Sequence, residues 1–374
     1  MLRLPALAAT LALAAGLAGC GSDSGAFDTD SSGPEPTTAS PQPSSPTTDA
    51  PSGPPEVIGT VARGLEVPWG IGFLPDGSAL VTERDRGRVL QIAGSEVTEV
   101  GRIDESVAES ESGLLGLAVS PTYAEDKRVF VYTTTDDDNR VLRMTFDQGR
   151  LGGPTAILTG IPKGFIHDGG RLAFGPDGYL YVSTGETGDG PLAQQEDNPA
   201  GKILRITQDG KPAPGNPDPG SPVWTLGHRN VQGLAFDDAG RLWASEFGQS
   251  TWDELNRIEK GRNYGWPLVE GRGDLEEYRN PFAQWRTAEA SPSGLAFAEG
   301  SLWMASLRGE RLWQVPVRED GSVGRPRDYF VGHLGRLRTV VVAPDGSLWV
   351  STSNRDGRGE PGPGDDRIVR VTLR

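Results

Sequence analysis

One pattern is written six times along this chain: an apolar strand, a turn that sets Gly beside Asp or Pro, and a second apolar strand running out into small hydroxyl residues. The copies are GIGFLPDGSALVTER from Gly70, GLAVSPTYAEDKRVFVYTT from Gly116, RLAFGPDGYLYVSTGE from Arg171, GLAFDDAGRLWASEFG from Gly233, GLAFAEGSLWMASLRG from Gly294 and TVVVAPDGSLWVSTSN from Thr339. Recurrence at roughly 45 to 60 residues marks a unit that cannot bury its apolar face alone and must stack on its neighbours, as propeller blades do. Asp-Gly between alternating apolar residues is a hairpin signal, because that turn needs positive φ. Further strands fit between the copies at 88–92, 141–146, 202–206, 311–317 and 367–373, where residues alternate or are β-branched. The expected fold is all-β, a six-bladed β-propeller with four-stranded antiparallel blades. The 52 Gly and 30 Pro suit a chain with many turns, and no amphipathic helix of useful length is visible. A pair of β-sandwiches would leave the sixfold pattern unexplained, whereas a closed ring removes exposed strand edges. Val57 to Ala62 is placed to complete the last blade beside the C-terminal strand.

With 374 residues, 36% hydrophobic and 23% charged, the chain can bury a sizeable core. A net charge of −15 argues against a nucleic-acid groove, which needs clustered Lys and Arg, so no nucleic-acid partner is expected. Arg3, the apolar run Leu4 to Leu17 and the small residues before Cys20 read as a secretory signal over 1–19, too short to span a membrane as a helix. Cys20 is the lone cysteine, so it cannot form an internal disulfide, and its place after Leu17-Ala18-Gly19 is that of a lipidated residue. The stretch that follows, to residue 55, is almost wholly Ser, Thr, Pro, Gly and Asp and reads as a disordered tether. The expectation is a folded domain over 56–374, extracytoplasmic and held to the cell membrane by a lipid anchor.

Propeller loops converge at one end of the central channel, so residues distant in sequence can share a site. His167 stands in FIHDGGR, where Gly169 and Gly170 permit close backbone approach and His can take a proton near neutral pH. Arg336 and Arg338 lie two apart before the last copy, so on an extended segment both guanidiniums face one side and can hold one anion. Glu186 alone reads as a turn carboxylate and Arg229 as a surface cation. Three further patterns read as incidental. Gly357 to Gly362 fits G-x-G-x-x-G but opens no helix, Arg272-Gly273-Asp274 is expected by chance, and Asp136 to Asp138 reads as a solvated hairpin tip.

The stretch Thr225 to Pro267, TLGHRNVQGLAFDDAGRLWASEFGQSTWDELNRIEKGRNYGWP, resembles the central signature of the soluble quinoprotein sugar dehydrogenases, the glucose/sorbosone dehydrogenase family. The resemblance implies oxidation of an aldose to a lactone with pyrroloquinoline quinone (PQQ) and calcium, the electrons leaving to an external acceptor. It makes His167 the base that removes the sugar hydroxyl proton and Glu186 the acid that orients it. It assigns Arg229 and Asn230 to the quinone, together with Arg308, Arg336 and Arg338, and places Glu111 where the family has a Gln touching quinone and substrate. Arg308 stands where Lys is familiar. Gly248-Gln249 match the family's Gly-Pro, whose successive carbonyls bind the catalytic calcium, and calcium accepts carbonyl ligands readily. Glu254 and the Tyr264 carbonyl match a second, structural calcium site, while His228 takes a packing role. Two other classes compete: a propeller lactonase, which needs several carboxylate or amide side chains on its metal, and a non-catalytic ligand-binding propeller, since fold does not imply function.

Overall fold

The computed structural model describes residues 53–373, so the signal segment, Cys20 and the tether up to residue 52 lie outside the described residues. Six antiparallel sheets follow one another along the chain. The first has strands Pro68–Phe73, Ala79–Glu83, Arg88–Ala93 and Glu96–Arg102; the second Leu114–Val119, Arg128–Thr134, Asn139–Asp147 and Thr155–Ile161, with the two-residue Arg150–Leu151 added on its third strand. The third has Leu172–Phe174, Leu180–Ser183, Lys202–Ile206 and Val223–Leu226; the fourth Val231–Phe236, Leu242–Glu246, Trp252–Ile258 and Ala283–Arg286; the fifth Pro292–Ala298, Ser301–Ser306, Arg311–Pro316 and Arg327–Tyr329. The sixth is built from Leu337–Val342, Leu348–Thr352 and Ile368–Thr372, and its outer strand is Glu56–Ala62, paired antiparallel from Glu56 opposite Thr372 to Ala62 opposite Ile368. The first strand of each blade packs on that of the next, and the sixth on the first, which closes the ring. Among the described residues the helices are the single turn Tyr123–Asp126 and the 3-10 segment Gly190–Gln194, and no helix is long and apolar enough to cross a membrane.

The repeated glycine of the pattern explains how the inner strands meet. A Cβ at Gly116 would lie 2.1 Å from the Gly170 carbonyl oxygen, and one at Gly233 2.4 Å from that of Ser293. Any side chain there would push neighbouring blades apart. Between the blades the core is aromatic and aliphatic: Trp243 and Trp303, from the Leu-Trp pairs of the pattern, are buried, and Phe73 meets Trp349 edge-on at 4.8 Å. On the axis Arg171 spans the ring. Its guanidinium lies 4.0 Å over Trp69 of the first blade and donates to the Gln232 carbonyl of the fourth and to the Thr339 hydroxyl of the sixth. Burial, with Arg338 nearby, pulls its pKa down to about 9.

The hairpin tip Asp136 to Asp138 departs from expectation. Asp138 is not a solvated charge: its carboxylate binds the Arg140 guanidinium and the Thr135 hydroxyl and accepts the Gly160 N–H, tying the tip to the outer strand of its blade.

Candidate active site

A cavity of ≈ 350 Å³ opens at one end of the ring, and Arg84, Glu111, His167, Asn230, Gln232, Phe247, Ser291, Leu307, Arg308, Arg336, Arg338 and Arg358 line it. Every blade sends residues there from the ends of its strands or the turns beside them. Six of the residues singled out in the sequence therefore meet: Glu111, His167, Asn230, Arg308, Arg336 and Arg338.

His167 sits in a left-handed turn, φ +61°, ahead of Gly169 and Gly170, which also have positive φ. This turn nests against the one carrying Glu186 because Gly185 lacks a side chain: a Cβ there would be 1.8 Å from the His167 carbonyl oxygen. Close approach brings the Glu186 carboxylate to 2.5 Å from His167 Nδ1. With Nδ1–H given to Glu186, the ring's other nitrogen, Nε2, keeps its lone pair for a proton. Glu186 is 2% exposed, and its second oxygen has no partner. Three other contacts hold the turn. The Asn230 side-chain oxygen accepts the Gly169 N–H at 3.0 Å, Glu111 accepts the His167 N–H at 3.0 Å, and the next residue, Asp168, takes Gly164 N–H and Asn139. Burial pushes Asp168 up to about 6, against the pull of those two donors.

The opposite wall is cationic. Arg336 and Arg338 do face one side, as two-apart spacing requires, and what they share is Asp356: Arg336 binds it at 2.9 Å and Arg338 at 3.3 Å. Burial pushes Asp356 up, but the two guanidiniums outweigh it and hold its carboxyl below the ordinary range. Burial draws Arg338 down to about 10, with Arg84 and Arg336 adding repulsion against the pull of Asp356. Arg84 is buried against Asp85, whereas Arg308 is exposed and has no ion pair among the described residues. Arg358 pairs with Glu111 at 2.7 Å. Five arginines and one carboxylate, Glu111, thus line the cavity.

Arg229 and the Gly248-Gln249 loop assigned to calcium adjoin Phe247, which lines the cavity. The Arg229 guanidinium stacks at 5.3 Å over Trp266 and its buried Nε has no partner; burial lowers its pKa against the pull of nearby carboxylates. Its backbone N–H donates to Glu246. At Gly248-Gln249 the backbone N–H groups are taken by carboxylates: Asp253 accepts from Gly248 at 2.8 Å, and one Glu270 oxygen accepts from Gln249, Ser250, Thr251 and Trp252 at 2.8 to 3.1 Å. Burial pushes Asp253 up to about 6 although two backbone donors oppose it. On the flank of the fourth blade, Glu254 lies opposite Glu246 in the strand register and accepts from Gly271 N–H and Asn256. Burial, then repulsion by Glu246, pushes Glu254 up to about 8, and the Asn256 side-chain oxygen is buried without a partner. His228 is spent on packing: it bridges Thr225 and Glu246 and stacks on Tyr264 at 4.6 Å. Among the described residues no three His, Cys, Asp or Glu side chains are grouped to hold a metal ion.

Sequence reading missed Arg84, Asp356, Arg358 and Glu270. Two of them carried a signal: Arg84 and Asp356 follow the hydroxyl-rich end of the repeated pattern, as Glu186, Glu246 and Arg308 do, so aligning the six copies places them on one rim. Arg358 lies inside the Gly357 to Gly362 segment set aside as incidental, which is no nucleotide loop yet does reach the site.

Comparison with known proteins matches residues 65–368 to the family described as Glucose / Sorbosone dehydrogenase. The PQQ-bound form of aldose sugar dehydrogenase from Streptomyces coelicolor is 52% identical, with a TM-score of 0.84 over 86% of this chain and 98% of that one. An oxidoreductase of Thermus thermophilus, described as a glucose dehydrogenase, is 44% identical with a TM-score of 0.80, covering 85% of this chain and 99% of its own. Aldose sugar dehydrogenase YliI of Escherichia coli is 28% identical over 78% of this chain and 89% of its own length.

Proposed function

Since the chain belongs to the glucose/sorbosone dehydrogenase family, we propose that it oxidises aldose sugars to lactones with PQQ and calcium, passing the electrons to an external acceptor. One observation carries this reading: a buried His167–Glu186 pair at the edge of a small cavity also lined by Arg84, Arg308, Arg336 and Arg338. PQQ is a tricarboxylate, and the wall suits it: Arg308 has no ion pair among the described residues, Arg336 and Arg338 share one carboxylate, and Arg229 Nε is orphaned. When bound, the quinone supplies a two-electron acceptor for hydrogen leaving the sugar carbon. His167 Nε2 takes the hydroxyl proton. Glu186, buried and already bonded to Nδ1, stabilises the imidazolium that results. Asn230, with its oxygen committed to Gly169, has its amide NH₂ left for a ligand. Reduction of a dye by aldoses, dependent on added quinone, tests the whole.

Calcium fits two places. At Gly248 and Gln249 the N–H groups are engaged by Asp253 and Glu270, which leaves the two carbonyls for a cation that would polarise the quinone as a Lewis acid. At Glu254, facing Glu246 beside the orphaned Asn256 oxygen, a cation would relieve the repulsion between the carboxylates, with the Tyr264 carbonyl as a further ligand. A ligand bound only by the folded state stabilises it by mass action. Calcium at 100 times Kd should add about 2.7 kcal/mol to wild type, and Glu254→Gln should lose the increment from its site. Equal melting temperatures for wild type and Glu254→Gln in calcium and in chelator would remove that site from the account.

The enzyme is further proposed to work outside the cytoplasm on a lipid anchor at Cys20, because two acyl chains hold a protein to membrane stably where one does not. Cys20→Ser should move the protein from the membrane fraction to soluble or unprocessed forms. Unchanged partition would reject the anchor.

A further inference from the structure

Glu111 and Arg358 stand 247 residues apart, in different blades, and meet over the cavity. Glu111 belongs to the connection between the first and second blades, and its side chain is 16% exposed. One of its oxygens accepts the His167 N–H at 3.0 Å and the other accepts Arg358 Nη1 at 2.7 Å. Arg358 lies in the connection between the second and third strands of the sixth blade. That connection is fastened to the cationic wall: the Asp356 carboxylate binds Arg336 and accepts the Arg358 N–H at 3.0 Å. Gly359 allows it to lie flat, since a Cβ there would meet the Arg336 side chain at 2.7 Å. Both residues line the cavity, and Arg358 is also half exposed.

We propose that the Glu111–Arg358 ion pair is a strap across one side of the cavity mouth that determines which sugars enter, favouring single-ring aldoses over those carrying further rings. The proposal rests on the sugar-oxidation reading. A sugar whose reacting hydroxyl reaches His167 Nε2 sits beside Glu111, because Glu111 holds the backbone of that same His. Rings attached on that side must pass the ion pair. Glu111 therefore has two separable duties. It positions the base through the His167 N–H, and it closes the mouth through Arg358.

The duties separate by substitution. Glu111→Gln keeps an amide oxygen for the His167 N–H but gives up the charge that holds Arg358; Arg358→Ala opens the strap alone; Glu111→Ala loses both. With Arg358 half exposed the pair is worth about 1 kcal/mol, so opening it should raise the ratio of kcat/KM for a disaccharide aldose over its monosaccharide by roughly fivefold in Arg358→Ala and Glu111→Gln alike. Glu111→Ala should show the same shift and in addition lose kcat on the monosaccharide, with Glu111→Gln restoring it. Hydrogen exchange on the purified full chain gives a readout without turnover. Amides of 354–366 should exchange faster in Arg358→Ala, and the His167 amide faster in Glu111→Ala but not in Glu111→Gln. An unchanged substrate ratio in Arg358→Ala overturns the strap, and so does unchanged exchange over 354–366. Wild type that oxidises no sugar overturns the sugar reading instead, and exchange then decides whether the strap exists.

Discussion

His167→Ala is expected to lower kcat by about 10² to 10⁴ while leaving quinone binding intact, the range that a positioned general base contributes. Only this side chain at the cavity combines a free ring nitrogen with a buried carboxylate bonded to its other nitrogen at 2.5 Å. The hydrogen bonds of His167 go to Glu111 and Glu186 and not to the arginines proposed to hold the quinone, so affinity for quinone should stay within a fewfold. A variant that oxidises sugar at the wild-type rate would exclude His167 as the base. Equal loss of quinone affinity and rate would make it a structural residue of the pocket.

The arginine wall should behave in the opposite way. Arg338 is 4% exposed and bonds Asp356, the Ser353 hydroxyl and the Gln232 oxygen, so its guanidinium is fixed before any ligand arrives. Truncating one partner of a buried charge pair typically costs about 2–5 kcal/mol, so Arg338→Ala should weaken quinone binding by roughly 30- to 4000-fold. Turnover at saturating quinone should fall far less, because the role proposed for this group is toward the quinone carboxylates and not the reacting carbon. Arg336→Ala should act in the same direction. Direct titration of apo protein with quinone measures both. A dissociation constant within twofold of wild type for Arg338→Ala would place the cofactor elsewhere.

Much of this was legible because it is periodic. The six copies carry their own strand lengths and turns, and the glycine opening four of them marks where the inner strand meets the next blade. The closing pair of Glu56–Ala62 with Ile368–Thr372 followed from needing a partner for the last edge. Pairwise chemistry between loops was not legible. Nothing local joins Arg358 to Glu111, Glu270 to the N–H groups of Gln249 to Trp252, or Asp356 to the two arginines before the last blade. Glu111–Arg358 joins two blades, and the other two join loops of one blade that are distant in sequence. The Asp136 to Asp138 run misled for the same reason: a charge run at a hairpin tip looks solvated until the neighbouring outer strand offers its Gly160 N–H.

The proposed enzyme joins, in one cavity, a proton-accepting His to a quinone held by arginines. Purified protein, stripped with chelator and then given PQQ and calcium together or singly, can be assayed for reduction of an artificial dye across a panel of aldoses. Dye reduction is expected with both added, little with either alone, and a loss of about 10² or more in His167→Ala. Protein that takes up quinone yet reduces no dye with any aldose would contradict it, and ring opening of lactones without any electron acceptor would point to hydrolysis instead.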